Sequence, residues 1–433
     1  MRVLDRQVLE LNPLRQDAHK IIEVSIEAVL PDAAVKSALK DKDFNKAVTV
    51  IAIGKAAWRM AQASCSVLGD QIRQGLIVTK YGHSQGALPN FEIVEAGHPI
   101  PDENSVLGAE KALEMVSITD PKEDLILFLV SGGGSALFEL PQPGLNLREI
   151  MDITDQLLSR GANISEMNTV RKHLSRVKGG RFAEACGQTE LFAVVLSDVI
   201  GDPLEVIASG PAFADSSTSA EAFNVLDKFN ITYSDQVKAA IDRETPKSLP
   251  FSESIITGSV AKFCDAAAAA CEALGYLPII LSTEMTGEAS ELGQTLASLA
   301  REALLGKGSP YKLRPPCAII LGGETVVHLS GKGKGGRNQE TALAAAFGIQ
   351  DLDHVVIFSV GSDGTDGPTD AAGGIVDGHT LERIRSAGLN PCELLAENDS
   401  YHALQVSGDL IMTGPTGTNV NDLMVVLIGE GNK

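Results

Sequence analysis

Positive charge is scarce in this 433-residue chain: 36 lysines and arginines stand against 56 aspartates and glutamates, for a formal net charge of −20. Binding to nucleic acid or to an anionic membrane rests on a broad positive face. Neither partner is expected, and an anionic small ligand has to find cations gathered locally. Aromatic residues make up only 4% of the chain, while glycine is plentiful at 42 residues, a balance suited to an α/β enzyme with many tight turns. The six cysteines, Cys65, Cys186, Cys264, Cys271, Cys317 and Cys392, form no C-x-x-C pair and read as buried reduced thiols. No window reaches the ~20 consecutive apolar residues of a membrane span, and the N-terminus is charged from Arg2 onward with no apolar signal core; a cytoplasmic protein is expected. H-E-x-x-H and the phosphate loop G-x-x-x-x-G-K-[ST] are missing too. The eight histidines are dispersed without metal-ligand spacing, which suggests solvent-facing or satisfied side chains.

What the chain does have is alternation. Short β-branched runs take turns with longer helical patterns, the mark of parallel sheets covered by helices. Strands are expected at 48–54, 75–80, 92–96, 124–132 and 191–198, then at 254–258, 278–283, 316–323, 325–330, 355–363 and 423–429. Helices are expected near 15–30, 55–68, 104–117, 147–160 and 168–185, then near 260–274, 286–305, 337–348 and 379–387. A chain of this length exceeds what one core supports, and a polar, proline-containing stretch at 242–254 separates the two series. Two α/β domains are therefore expected, at 1–240 and 250–433.

Ligands of open α/β sheets bind beyond the carboxyl ends of the strands. Residues 322–346 read as a strand, a glycine and lysine loop and a helix, with Lys332, Lys334 and Arg337 beside the glycines. Such a turn is built to receive an anion. VSGGGSALFELP puts Ser131, Gly132, Gly133, Gly134 and Ser135 after an apolar strand, permissive enough for an amide nest around phosphate or carboxylate. Residues 167–185 read as an amphipathic helix with Arg171, Ser175 and Lys178 on one stripe. Asp198 and Asp202 follow a strand end and suit either Mg²⁺ or, for Asp198, proton abstraction from a substrate hydroxyl. Asp363, Asp366 and Asp370 lie in a glycine-rich loop that suits cation contact or Asx turns. Lys55 sits where a helix begins, an unfavourable place for a cation without an anionic partner. TGPTGTNVNDL at 413–423 offers hydroxyls to a ligand or is simply a tight loop.

Together these segments resemble the type 2 glycerate kinase family, through AIGKAA, AGHPIPDENS, VSGGGSALFELP, NTVRKHLSRVKGGRFA, SDVIGDPLEVIASGP, GGETVVHLSGKGKGGRNQE, GSDGTDGPTDAAGG, ENDSYHAL and TGPTGTNVNDL in the same order. The resemblance implies two α/β domains, an N-terminal Rossmann-like doubly wound parallel sheet and a C-terminal MOFRL-type domain with a mixed sheet, with the active site in the cleft between them. It implies ATP-dependent phosphorylation of D-glycerate, giving 2-phosphoglycerate, with Mg²⁺; a homodimer is left open. On this mapping Lys55 and Arg337 hold the substrate carboxylate or the transferring phosphate, and Asp198 orients or deprotonates the attacking hydroxyl. Residues 131–135 and the loop bearing Lys332 and Lys334 become phosphate cradles, with Lys178 and Asn338 beside them and Asp202, Asp363 or Asp366 available for Mg²⁺. Ser362, Gly374 and Glu397 stand where the family often has threonine, alanine and asparagine.

Two other readings compete. Gly331, Gly333 and Gly336 satisfy G-x-G-x-x-G, and Asp363 ends the next expected strand, which would suit an NAD(P)H-dependent hydroxypyruvate reductase. The two lysines and Arg337 favour terminal phosphates instead. A noncatalytic sugar-acid-binding protein is the third reading, and needs fewer carboxylates and cations than these loops carry.

Overall fold

The computed structural model describes residues 12–40, 42, 44–305 and 313–430; the segment 1–11, read above for a targeting signal, lies outside the described residues. The described chain divides into two compact units, Pro31–Thr257 and a second made of Gly258–Lys433 together with the N-terminal stretch through Leu30. No helix among the described residues is long and apolar enough to cross a membrane.

In the first unit β1 (Ala47–Ile53), β2 (Ile72–Lys80), β3 (Phe91–Ala96), β4 (Asp124–Val130), β5 (Glu190–Leu196) and β6 (Ser252–Gly258) form one sheet in the order β3-β2-β1-β4-β5-β6. The pairings from β3 across to β5 are parallel. Every residue of β4 is buried, as a parallel strand covered on both faces must be. Helix Glu103–Ser117 packs with Phe128, Phe138 and Phe182 on one face, and helices Pro31–Leu39 and Ala57–Leu68 cover the other. This is the Rossmann order, whose winding reverses between β1 and β4 and opens a crevice beyond their carboxyl ends.

The second unit holds β7 (Leu277–Met285), β8 (Cys317–Gly323), β9 (Val355–Gly361), β10 (Gly373–Asp377), β11 (Leu410–Ile411) and β12 (Asp422–Ile428), in the order β11-β10-β9-β12-β8-β7. Only the β7–β8 pairing is parallel, so the sheet is mixed. Running antiparallel between β8 and β9, β12 brings its first residue, Asp422, beside the last residues of both neighbours, Gly323 and Gly361.

Five sequence expectations need correction. The domain limits shift because helix Pro13–Ala28 presents Ala18, Ile21 and Ile22 to Phe263, Cys264, Ala267 and Cys271, so the first domain begins at Pro31 and ends at Thr257 rather than spanning 1–240. The run at 254–258 belongs to β6 at the edge of the first sheet, not to the second series. Residues 325–330 are irregular, not a strand: β12 already occupies that side of β8, and Val326 and Leu329 are 52% and 80% exposed. The helix expected over 168–185 stops at Leu174, where Ser175 turns extended and bridges Pro141, and restarts at Arg181 after Gly179 and Gly180 in left-handed backbone. Of the cysteines, Cys65 is half-buried and Cys392 exposed, contrary to a uniformly buried set; all six are free thiols.

Candidate active site

At the carboxyl ends of β1 and β4 the two loops are stitched together. Lys55 donates its amide to the Gly132 carbonyl at 2.9 Å, and the Ser131 hydroxyl accepts from the Ala56 amide at 3.1 Å. The amides of Gly132, Gly133, Gly134 and Ser135 have no hydrogen-bond partner among the described residues, so the loop presents consecutive free donors, an anion nest. Glycine is needed here for space. A Cβ on Gly132 would collide with the Asp198 carboxylate, and one on Gly133 would lie 2.9 Å from the His98 ring and 3.2 Å from Lys55 Cε. Lys55, His98 and Asp198 therefore converge on two glycines. Burial pushes the Asp198 carboxyl above its ordinary pKa, against the pull of Lys55. Burial, Lys55, Lys80 and His83 hold His98 below its usual value.

The far end of this nest is braced from below. Ser135 shares a 2.9 Å hydroxyl contact with Ser209, whose hydroxyl also meets Asn168 at 3.2 Å. Ala208, Ser209 and Gly210 all adopt positive φ, a strained strap of the kind found where structure over-determines a site. Arg171 reaches the Ser135 carbonyl at 3.4 Å, and its Nε is buried without a partner. Lys178, by contrast, is wholly buried and paired with Glu139, its pKa pushed down to about 8 by burial. Of the two cations on that stripe, Arg171 and not the expected Lys178 reaches the edge of the nest. Asp202 lies on the adjoining loop with φ 53° and one buried, unpartnered carboxylate oxygen.

In the second unit the loop bearing Lys332 and Lys334 does not form an open anion receptor. The amides of Gly331 and Lys334 donate to Asn398 and Asp399 at 3.0 Å, and that of Gly333 to the Glu397 carbonyl at 2.8 Å. Side chains on Gly331 or Gly333 would collide with residues 397–399. These glycines serve close packing against the ENDS segment. The N-terminus of helix Arg337–Gly348 is likewise filled by the protein's own anion. Asp366 accepts from the amides of Asn338 and Gln339 at 3.2 and 2.9 Å and from the Gln339 side chain at 2.9 Å. Asn338 is buried and bonded to Ser359. Lys332 is exposed, and Lys334 stacks over the Tyr401 ring at 4.2 Å.

Arg337 is held between carboxylates, contacting Asp422 at 2.5 and 3.0 Å and Glu324 at 2.9 Å. These partners raise its pKa although burial opposes them. Asp363 accepts from the Thr365 amide at 3.0 Å and keeps its other oxygen without a partner among the described residues. The threonines of the 413–418 loop mostly serve structure, Thr416 bonding Ser362 and Thr418 bonding Val29. Among the described residues, no three His, Cys, Asp or Glu side chains gather as a metal centre; Asp202 lies in one unit, Asp363 and Asp366 in the other.

Residues 17–242 match a family described as "Domain of unknown function (DUF4147)", and residues 317–422 match the MOFRL family. Over 415 residues the chain is 52% identical to a D-glycerate 2-kinase of Thermotoga maritima, covering 96% of this chain and 98% of that one. The chain belongs to the glycerate kinase family. A crystal structure titled glycerate kinase, from the same organism, matches with a TM-score of 0.92 at 52% identity, covering 96% of this chain and 99% of that one. A relative from Agrobacterium vitis, 39% identical over 96% of this chain and 94% of its own length, carries a provisional name as a hydroxypyruvate reductase.

Within this glycerate kinase fold the structure brings together Lys55, Asp198 and residues 131–135, which the sequence placed at separate strand ends. The sequence reading passed over His98, and it named Arg171 on a basic stripe without separating it from Lys178. His98 arrives through the loop after β3 and has no motif of its own beyond AGHPIP; Arg171 shares its stripe with Lys178, and periodicity alone does not tell a buried cation from a presented one.

Proposed function

We propose that this chain transfers the terminal phosphoryl group of ATP directly to the 2-hydroxyl of D-glycerate, giving 2-phosphoglycerate and ADP. Membership of the glycerate kinase family makes it a phosphotransferase; the substrate, position and mechanism are the inference. The observation that carries it is the meeting of Lys55 and Asp198 at a nest of four free amides in the Rossmann crevice. Phosphoryl transfer asks a protein mainly for positioning and charge neutralisation. The nest suits phosphate oxygens, with Arg171 at its edge, while Lys55 suits the substrate carboxylate. Asp198 takes the proton as the hydroxyl attacks phosphorus and the bond to ADP breaks. Of the expected metal-binding carboxylates, Asp202 fits a cation through its buried, unpartnered oxygen, and Asp363 has one oxygen to offer. Asp366 does not fit, since helix amides and Gln339 occupy both its oxygens. Mg²⁺ held with the phosphates would neutralise their charge.

The reductase reading lacks its nest. The amides at 331, 333 and 334 are already bonded, and β1 of the Rossmann sheet runs into Gly54-Lys55-Ala56-Ala57 rather than G-x-G-x-x-G. The test is to supply D-glycerate, ATP and Mg²⁺ and follow ADP by a coupled assay, with hydroxypyruvate and NADH or NADPH in parallel and the product identified by NMR. ADP formation with a 2-phosphorylated product is expected; nicotinamide oxidation without ADP would overturn the proposal. Lys55→Ala should lower kcat/KM by ~10²-fold or more, the scale of deleting a preorganised charge contact.

A further inference from the structure

We infer that His98 recognises the hydroxyl of D-glycerate that is not phosphorylated, and thereby sets selectivity against acids that lack it. The inference rests on the glycerate kinase reading and adds to it a residue and a role.

The geometry supplies three functional groups around Gly132 and Gly133. Lys55 and His98 approach the vacant Cβ position of Gly133, at 3.2 Å for Lys55 Cε and 3.0 Å for His98 Nε2, and the Asp198 carboxylate lies against that of Gly132. Among the described residues the Lys55 ammonium and the His98 imidazole have no hydrogen-bond or ion-pair partner, and the Asp198 carboxylate has only its own backbone amide. Three polar groups left without a protein partner beyond the Asp198 amide, with room kept between them by glycine, are complementary to a small polyfunctional ligand.

D-glycerate also has three polar groups, a carboxylate and two hydroxyls, and the chemistry allows one assignment. The ammonium is donor-only and charged, so it takes the carboxylate. The Asp198 carboxylate would repel the substrate carboxylate and has acceptor capacity for a hydroxyl proton, so it takes the reacting hydroxyl. The imidazole is left with the other hydroxyl. A neutral imidazole offers one donor and one acceptor, the complement of an alcohol. Burial and the neighbouring Lys55, Lys80 and His83 disfavour protonation of His98, which suits it to a hydroxyl and makes it a poor second partner for an anion.

The consequence is a selectivity. A site that hydrogen-bonds a substrate hydroxyl discriminates strongly against the analogue lacking it, because its own polar group is then left unpaired. D-lactate keeps the carboxylate and the 2-hydroxyl but lacks the 3-hydroxyl; 3-hydroxypropionate lacks the 2-hydroxyl. Product NMR from D-glycerate selects the analogue: D-lactate if phosphate is on O2, 3-hydroxypropionate if on O3. Using labelled ATP, kcat/KM is measured for glycerate and that analogue in the wild type, His98→Ala and His98→Gln, with circular dichroism to confirm folding. The wild type should prefer glycerate by ~10² or more. His98→Ala should reduce the preference to below ~10 by losing turnover of glycerate while turnover of the analogue changes by less than about threefold, and His98→Gln, which retains a donor and an acceptor, should fall between. An unchanged preference in His98→Ala, or a parallel loss on both substrates, overturns the role of His98 while leaving the kinase reading intact. A folded wild type that forms no ADP from D-glycerate overturns the kinase reading and this inference with it.

Discussion

Asp198 shows at the level of one residue how a site is held at a cost. Its carboxyl is pushed above the ordinary value by burial, with Lys55 opposing, so the folded protein holds this proton more tightly than the unfolded chain. At pH values above the folded pKa the ionised group therefore reduces stability, and below the unfolded value of ~4 the penalty is gone. Asp198→Asn should raise the thermal midpoint at pH 7.5, and the gain should begin to shrink as the pH is lowered through the folded pKa and vanish below the unfolded value of ~4. The same variant should lose ~10² to 10⁴ in kcat/KM, the range of general-base removal, and wild-type kcat/KM should fall on the acid side at a pH above the usual carboxylate range. A lower midpoint or retained turnover would contradict this assignment. Asp198 was legible because a Ser-Asp pair closing an apolar run marks a strand end at the ligand edge. His98 was not, because nothing in its neighbours' pattern says that the loop after β3 folds back over Gly133.

Two elements that look alike in sequence, the glycine loops at 131–135 and 331–336, differ in what fills them. The first keeps its amides free; the second gives most of its amides to residues 397–399, and the helix that follows is capped by Asp366. Composition does not distinguish the cases, because glycine allows close approach whether the visitor is a phosphate or another stretch of backbone. Arg337 belongs to the filled loop. Its removal leaves Asp422, 1% exposed, without its cation, so Arg337→Ala should cost about 3 kcal/mol in denaturant unfolding, and adding Asp422→Asn should recover part of that. In the first unit Lys178→Met should likewise destabilise by about 3 kcal/mol by stranding Glu139. The double variant Lys178→Met with Glu139→Leu should return to within ~1 kcal/mol of the wild type, since a buried pair is often matched by apolar residues of similar volume. Equal loss in single and double variants would show that the pair serves more than mutual neutralisation.

Over the whole molecule, the two units do not follow the order of the chain. Helix Pro13–Ala28 completes the unit formed by Gly258–Lys433, and its Arg15, 1% exposed, bridges Asp377 and Asp409 at 2.7 Å each, with Arg383 on the same carboxylates. Arg15→Met should cost ~3–5 kcal/mol, the scale of breaking a buried pair, and hydrogen exchange should show the loss in β10 and β12 while β1 and β4 keep their protection. Uniform loss in both sheets would refute that localisation. By itself the sequence determined the α/β class, most strands and helices, and the glycine and polar residues that gather at strand ends, because these depend on short-range periodicity and on turn residues at strand ends. Only the tertiary structure decided the Rossmann order of the first sheet, the insertion of β12 between β8 and β9 that sets Asp422 against Arg337, and the membership of the first helix. It also decided which cations are neutralised by buried carboxylates and which face the open nest. Those outcomes rest on pairings between residues far apart in the chain, where burial and charge are set by neighbours that local pattern does not name.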